Sequence, residues 1–153
     1  MIHSKPIYDI EKICQQKGIS LTQKRHKIFD VVLSSVIPLS AYDITDIYKN
    51  TFGSSMPTMS IYRILEFLTG SGLVHKLEST NKYIACSHLQ CDHEHTSAQF
   101  LICNTCSEVE EVALTQELHN QIEVGAEQKG FKLEAMQFEL HGTCNTCLKK
   151  QSH

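Results

Sequence analysis

The quartet Cys-Asn-Thr-Cys occurs twice in this 153-residue chain, at residues 103–106 and again at residues 144–147. The two quartets use four of the seven cysteines, and 37 residues separate them. A repeated Cys-x-x-Cys pair has three interpretations: two redox motifs, a pair of disulfides, or two halves of one metal site. The choice constrains the fold, because a single metal site would tie two distant segments of the chain together.

The surroundings of the two pairs favour the metal site. A thioredoxin-type pair lies at the start of a helix that follows a strand. The first pair instead leads into the strand-like "SEVEEVAL", and the second lies almost at the end of the sequence. The N-terminal stretch has no signal-peptide character, so we expect a cytoplasmic protein in a reducing compartment, where disulfides are rare. We therefore predict a structural four-cysteine zinc site at Cys103, Cys106, Cys144 and Cys147.

Charge divides the chain into two halves. Residues 1–80 carry nine Lys/Arg against seven Asp/Glu, whereas residues 81–153 carry five against ten, which gives the net charge of -3. The positive excess in the first half is compatible with a DNA-reading element there. Because no apolar run approaches the ~18 residues that a membrane span needs, we expect no membrane partner.

Four amphipathic helices are predicted in the first half. The first ends at Gly18, and the second begins at Thr22 and extends its buried face to Val36. The third opens with Ser40 and Asp43 at capping-box spacing.

The fourth predicted helix, in "PTMSIYRILEFLTGSG", has an apolar stripe at i, i+3, i+4 and i+7. At 100° per residue, Arg63 lies opposite that stripe with Met59 beside it. The next segment, "LVHKLESTNKYIAC", predicts a β-hairpin with its turn at residues 79–82, which would place His75 directly opposite Cys86. Helices followed by a two-stranded wing describe a winged helix-turn-helix.

The second half alternates strand, strand, helix and strand, in "AQFLIC", "EVEEVA", "LTQELHNQIEVGAEQKG" and "FKLEAMQFELHG". This order predicts a small α/β unit in which one helix covers a short sheet, and exposed sheet edges would favour a homodimer. The fold class is thus α+β, with a winged-helix domain at residues 1–86 followed by an α/β dimerisation domain at residues 87–153.

Five stretches resemble the ferric uptake regulator family, and within it the zinc-sensing branch. The resemblance covers roughly residues 7–148, through "LTQKRHKIFDVV", "SAYDI", "SIYRILEFLTGSGLVHKLESTNKY", "HTSAQFLICNTCSEVEEV" and "ELHGTCNTC". It implies a zinc-responsive repressor of zinc-uptake genes, which binds palindromic DNA operators as a zinc-loaded dimer.

The resemblance also implies a second, regulatory zinc site, so that each subunit holds two Zn²⁺ ions. Its ligands would be His75 and Cys86 from the hairpin, together with His95 and Glu111 from the second domain. His93 is an alternative to His95, and His88 and Cys91 are further candidate ligands. The mixed nitrogen, sulfur and oxygen set suits zinc.

For DNA contacts the resemblance points to Tyr42 and Arg63. An outward Arg63 could bond guanine O6 and N7 in the major groove. Four further cations are candidate phosphate contacts or ordinary solvated charges, namely Lys24, Arg25, Lys76 and Lys82.

Three other functions compete with this one. An enzyme is disfavoured because the sequence contains neither His-Glu-x-x-His nor a zinc-deaminase signature, and a four-ligand site leaves no position for water or a small-molecule substrate. A sensor of iron, manganese or peroxide would keep the fold, although Cys86 disfavours these metals. A purely structural zinc module that binds protein predicts no metal-dependent affinity for DNA.

Overall fold

The computed structural model describes residues 9–89 and 97–152. The chain divides into two compact units, Met1–Cys91 and Asp92–His153. Helices and sheets are both present, which confirms the predicted α+β class. Within the described ranges, no helix is long and apolar enough to cross a membrane.

The first unit consists of four helices followed by a two-stranded hairpin. Their bounds are α1 Ile10–Gln16, α2 Gln23–Ser34, α3 Ala41–Phe52, α4 Thr58–Gly70, β1 Val74–Leu77 and β2 Lys82–Ala85. Helices and hairpin share a hydrophobic core, which contains ten of the twelve largest fully buried side chains among the described residues. The predicted order of elements is confirmed.

Local side-chain chemistry starts the helices where the sequence predicts. The Thr22 hydroxyl accepts a hydrogen bond from the Arg25 backbone N–H at 3.3 Å, so α2 begins with a satisfied donor. Ser40 and Asp43 form the complete capping box of α3, with each side chain accepting from the other residue's backbone N–H at 3.1 Å and 2.8 Å.

The expected buried contact of Val36 is wrong. The helix α2 ends at Ser34, so Val36 lies beyond the helical face that reaches the core, and 65% of its surface is exposed. The apolar spacing of α2 continues in the sequence as far as Val36, but the helix itself ends two residues earlier.

Helix α4 is oriented as its stripe predicts. Ile61, Leu65 and Leu68 are completely buried, whereas Arg63 and Met59 are exposed on the opposite side. The chain leaves the helix through Gly72, whose φ of 73° lies in the left-handed region that glycine tolerates. This turn leads directly into β1 and therefore places the hairpin next to α4.

The hairpin register differs from the predicted one by two positions. His75 pairs with Ile84, and the strands are joined by turn residues 78–81 rather than 79–82. Asn81 closes the turn with a φ of 52°, a conformation that asparagine tolerates better than most residues. Cys86 is consequently diagonal to His75 and not directly opposite to it, and its backbone N–H donates to the Leu73 carbonyl at 3.0 Å.

The second unit is a three-stranded sheet with two helices. Its elements are β3 Ser97–Cys103, β4 Val109–Val112, α5 Gln116–Glu127, β5 Met136–Gly142 and α6 Asn145–Gln151, and the strand order is β4-β3-β5. The central strand β3 pairs antiparallel with β4 and parallel with β5. Both outer strands of this sheet leave an edge on the single chain.

Three details of this unit depart from the sequence prediction. The last strand starts at Met136, so the preceding "FKLEA" is not part of it. Helix α5 has no buried side chain, which means that it does not cover the sheet within one chain as predicted. The seven-residue helix α6 after the second Cys-x-x-Cys pair was not predicted.

Candidate metal centres and nucleic-acid interface

The parallel pairing of β3 with β5 brings the two Cys-x-x-Cys pairs together. Cys103 is the last residue of β3 and pairs with Gly142, the last residue of β5. Neighbouring parallel strands end at the same edge of the sheet, so both pairs leave the sheet at one point. The Asn104 N–H donates to the Gly142 carbonyl at 2.9 Å and ties the two exits together.

The four sulfur atoms that result have the spacing of a metal site. The Sγ atoms of Cys103, Cys106, Cys144 and Cys147 all lie within 4.8 Å of one another. Those of Cys106 and Cys144 are 3.7 Å apart. Four sulfurs at about 2.3 Å from a tetrahedral zinc ion are separated by about 3.8 Å from each other, so the donor set fits zinc.

Hydrogen bonds within the cluster shift the pKa values of Cys103 and Cys147 in opposite directions. The Cys144 N–H donates to the Cys103 sulfur at 3.3 Å. That N–H, with the Cys106 N–H, lowers the pKa of Cys103 to about 6. Hydrogen bonding to Cys144, followed by burial, raises the pKa of Cys147 to about 12. Cys103 can thus meet a cation as a thiolate, and a bound cation would drive the other thiols to ionise.

The structure corrects one reason given against redox chemistry. The second pair does follow a strand and open a helix, because Cys144 is the N-cap of α6. The metal interpretation rests instead on the convergence of four sulfur atoms, which a single redox pair does not need. Among the described cysteines none is in a disulfide.

A second pair of ligand-type side chains lies in the first unit. The His75 ring nitrogen and the Cys86 sulfur are within 4.8 Å of each other. Both residues are buried, with 8% and 1% of their surfaces exposed. Diagonal neighbours on one face of a hairpin are close enough for such side chains to meet. The sequence therefore identified the right pair from the wrong register, because a shift of two positions keeps both residues on the same face.

The other predicted regulatory ligands belong to the second unit or lie outside the described residues. Glu111 is half-buried in β4, where it pairs with Phe100. His95 falls outside the described residues, as do its alternative His93 and the further candidate Cys91. His88 is half-buried, and its N–H donates to the Cys86 sulfur at 3.4 Å.

The two residues predicted to contact DNA are both exposed. Tyr42 is the second residue of α3 and has 67% of its surface exposed, and Arg63 lies on the outer side of α4. In a helix-turn-helix the second helix enters the major groove and the first helix crosses the backbone. The exposed positions of Tyr42 and Arg63 agree with α3 as the helix that crosses the backbone and α4 as the helix that enters the major groove.

The candidate phosphate contacts differ in how they are held. Lys24 is exposed, whereas the Arg25 guanidinium lies 3.7 Å from the centre of the Phe67 ring. A cation in this position is attracted by the negative face of the ring. The Nζ atom of Lys76 lies 3.7 Å from Oε2 of Glu78, and Lys82 is half-exposed. Only Lys24 combines full exposure with a position in the first turn of α2.

The comparison with known proteins gives consistent matches. The sequence model of the ferric uptake regulator family matches residues 16–141. The zinc uptake regulation protein of Escherichia coli (strain K12) is 35% identical over 142 residues, which cover 93% of this chain and 81% of that protein. The peroxide operon regulator of Bacillus subtilis (strain 168) is 26% identical over 139 residues, 91% of each chain.

Solved structures give the same result. A zinc uptake regulator complexed with zinc and DNA superimposes with a TM-score of 0.83 at 30% identity, covering 94% of this chain and 93% of that one. The structure of holo XcZur gives 0.78 at 32% identity, with 92% and 94% covered. The Helicobacter pylori ferric uptake regulator gives 0.57 at 21% identity, with 94% and 97% covered, and supports the fold alone.

Proposed function

The chain belongs to the ferric uptake regulator family, and from this premise we propose that it is a zinc-responsive transcriptional repressor of zinc-uptake genes. The observation that carries the proposal is the buried pair of His75 and Cys86 at the base of a winged helix, separate from the four-cysteine cluster. A structural zinc module would need only the cluster, whereas a sensor needs a second place where an ion can act on the DNA-binding unit.

The four cysteines are proposed to hold a structural ion. Their sulfur-only donor set and their spacing are typical of closed tetrahedral zinc sites. Such a site leaves no open position, so its ion would do no chemistry beyond tying β3 to the segment after β5. We propose no enzymatic activity for this chain.

The proposed regulatory site combines His75 and Cys86 with Glu111 and His95, so that each subunit would hold two zinc ions. Support comes from the proximity of the first two side chains and from the likeness to zinc uptake regulators. Cys86 would supply a thiolate, which favours zinc over the harder cations manganese and ferrous iron. His93 stands as the alternative to His95.

Coupling follows from where these four residues lie in the chain. Two belong to the first unit and two to the second, so an ion that binds all four favours the arrangement of units in which they meet. An effector shifts a conformational equilibrium only by its difference in affinity for the two states. A thousandfold change in DNA affinity would need about 4 kcal/mol of such coupling.

The DNA-binding partner is proposed to be a palindromic duplex operator. Arg63 would bond a guanine edge in the major groove, and Tyr42 at the start of α3 would contact a base or the backbone. Palindromic sites match the two-fold symmetry of a dimer. We therefore propose that the protein acts as a homodimer. A cytoplasmic location is also part of the proposal.

Exposed apolar side chains of the second unit support the dimer. Leu118 and Val124 on α5, Leu140 on β5 and Leu101 on β3 are at least 40% exposed. A helix with no buried side chain and a sheet with open edges gain stability when a second copy covers them.

Zinc-dependent DNA binding tests the proposal directly. The operator would first be selected from random duplex DNA by the zinc-loaded protein. Its affinity would then be measured while free zinc is buffered across the sub-nanomolar range, with ferrous iron and manganese in parallel titrations. Tight binding that requires zinc after the four-cysteine site is already full supports the proposal. Binding driven by iron or manganese would move the chain to another branch of the family, and metal-independent binding would contradict a sensing role.

A further inference from the structure

Met59 is the only apolar side chain of α4 that is exposed. The helix is described over its whole length, Thr58–Gly70, and its other apolar residues are buried or half-buried. Met59 has 64% of its surface exposed. A single exposed apolar residue is ordinary on a protein surface, so its meaning depends on which surface it belongs to.

Helical geometry places Met59 on the same face as Arg63. The two residues are four positions apart, which corresponds to about 40° around the helix axis and about 6 Å along it. The buried residues Ile61, Leu65 and Leu68 occupy the opposite side. Met59 is the second residue of the helix, and in helix-turn-helix proteins the N-terminal residues of this helix contact base edges.

The chemistry of the major groove offers a methionine one specific apolar partner. Thymine is the only base with a methyl group in that groove, and apolar side chains read it by direct contact. The flexible thioether of methionine adapts to irregular apolar surfaces. A spacing of about 6 Å along the helix corresponds to about two base-pair steps of duplex DNA.

We propose that Met59 is a specificity-determining residue, which contacts the 5-methyl group of a thymine within about two base pairs of the guanine read by Arg63. The inference rests on the proposed function, because it requires α4 to lie in the major groove. It extends that function by assigning a base preference to a residue whose side chain has no polar group to bond phosphate.

The test removes one methyl group at a time from the DNA. The full-length, zinc-loaded protein is used with an operator that the wild-type protein has selected from random duplex DNA. Each thymine is replaced in turn by deoxyuridine, which keeps base pairing and deletes only the 5-methyl group. Wild-type protein should lose about 3- to 10-fold in affinity at one thymine in each half-site, as expected for an apolar contact of this size.

Variants assign that loss to the side chain. Met59→Ala should bind the unmodified operator about 3- to 10-fold more weakly and should be insensitive to deoxyuridine at the same thymine. Val36→Ala is the matched control, because Val36 is exposed to a similar extent but lies outside α4. It should keep the wild-type response at every thymine. Since Met59 is not buried, circular dichroism of the variant should match that of the wild type.

The outcomes separate this inference from the function on which it rests. If wild-type protein binds no duplex in a zinc-dependent manner, both are overturned. If it binds with zinc but Met59→Ala and wild type respond identically to every deoxyuridine substitution, only the role of Met59 is overturned. Sensitivity that disappears at one thymine per half-site in Met59→Ala, and not in Val36→Ala, supports the contact.

Discussion

Cys86 lies diagonally across the hairpin from His75, and Ile84 occupies the position directly opposite His75. The histidine ring nitrogen and the thiol sulfur nevertheless approach within 4.8 Å, in surroundings from which water is largely excluded. Two such ligands in one hairpin would give the first unit its own partial affinity for zinc.

Replacing Cys86 by serine should therefore abolish the response to zinc while leaving the structural ion in place. Zinc-dependent DNA affinity should fall about 5- to 150-fold, the usual range of coupling between two sites. Zinc content measured after gel filtration should drop by one equivalent per subunit. Cys14→Ala, a change at another buried cysteine of the same unit, should retain both ions. Undiminished zinc response in Cys86→Ser would contradict the proposed site.

Replacing Cys144 by alanine should remove the other ion and destabilise the second unit. One of four sulfur ligands is lost at the point where the two chain segments meet, and structural zinc contributes directly to the free energy of folding. Differential scanning calorimetry should show a lower unfolding temperature. Thr146→Ala alters an exposed residue between Cys144 and Cys147 and should leave both zinc content and stability unchanged.

Arg63→Ala and Lys24→Ala should weaken DNA binding in different ways. Loss of a guanine contact costs about 1–3 kcal/mol with the selected operator and little with random duplex. Loss of a phosphate contact weakens binding to both duplexes and reduces the salt slope by about one. Titrations at several salt concentrations separate the two effects. An equal loss on both duplexes for Arg63→Ala would exclude its base-reading role.

The capping box of α3 should make stability depend on pH. The Ser40 hydroxyl donates to the Asp43 carboxylate at 2.7 Å and is the main cause that lowers the pKa of Asp43 below its ordinary value of 3.8. Because the folded protein lowers this pKa, the ionised carboxylate stabilises the fold. That stabilisation is complete above about pH 3.8 and is lost as the pH falls through the lowered pKa.

Asp43→Asn should accordingly reduce the free energy of unfolding at pH 7, because a neutral amide oxygen accepts the two hydrogen bonds from Ser40 less strongly than the carboxylate does. The difference from wild type in urea denaturation should stay constant down to about pH 5 and shrink in more acidic solution. Asp46→Asn, in the same helix but outside the cap, should show no such difference. If the difference in unfolding free energy between wild type and Asp43→Asn grew on acidification, the proposed role of the Asp43 carboxylate would be contradicted.

Val124→Asp should weaken the homodimer. It places a charge on a half-exposed apolar position of α5, where burial against a second copy would leave the carboxylate unpaired. Sedimentation at micromolar concentration should show more monomer than in the wild type. Val36→Asp introduces the same charge at an exposed valine of the first unit and should remain dimeric.

Features fixed by local chemistry could be predicted from the sequence. Thr22 and the Ser40–Asp43 pair mark helix starts because their side chains satisfy the first backbone donors. The stripe of α4 fixes which face is buried and therefore which way Arg63 points.

Features that depend on turn geometry or on contacts with distant segments could not be predicted from the sequence. The turn of the hairpin was misplaced by one residue, which shifts every cross-strand pair by two positions. The available signal was Asn81, since asparagine favours the left-handed conformation that closes such a turn. Helix α6 is too short to show apolar periodicity, and its N-cap residue, Cys144, makes no side-chain capping hydrogen bond.

The parallel pairing of β3 with β5 has a consequence for how fast this protein folds. Its partner residues are 39 positions apart in the chain, and such distant pairings form slowly because a long loop must close before any contact forms. Four thiolates that capture one ion close that loop at the sheet edge and leave the two strands side by side. Zinc present during refolding should therefore accelerate formation of the second unit, so that the ion acts as a template for assembly as well as a brace afterwards.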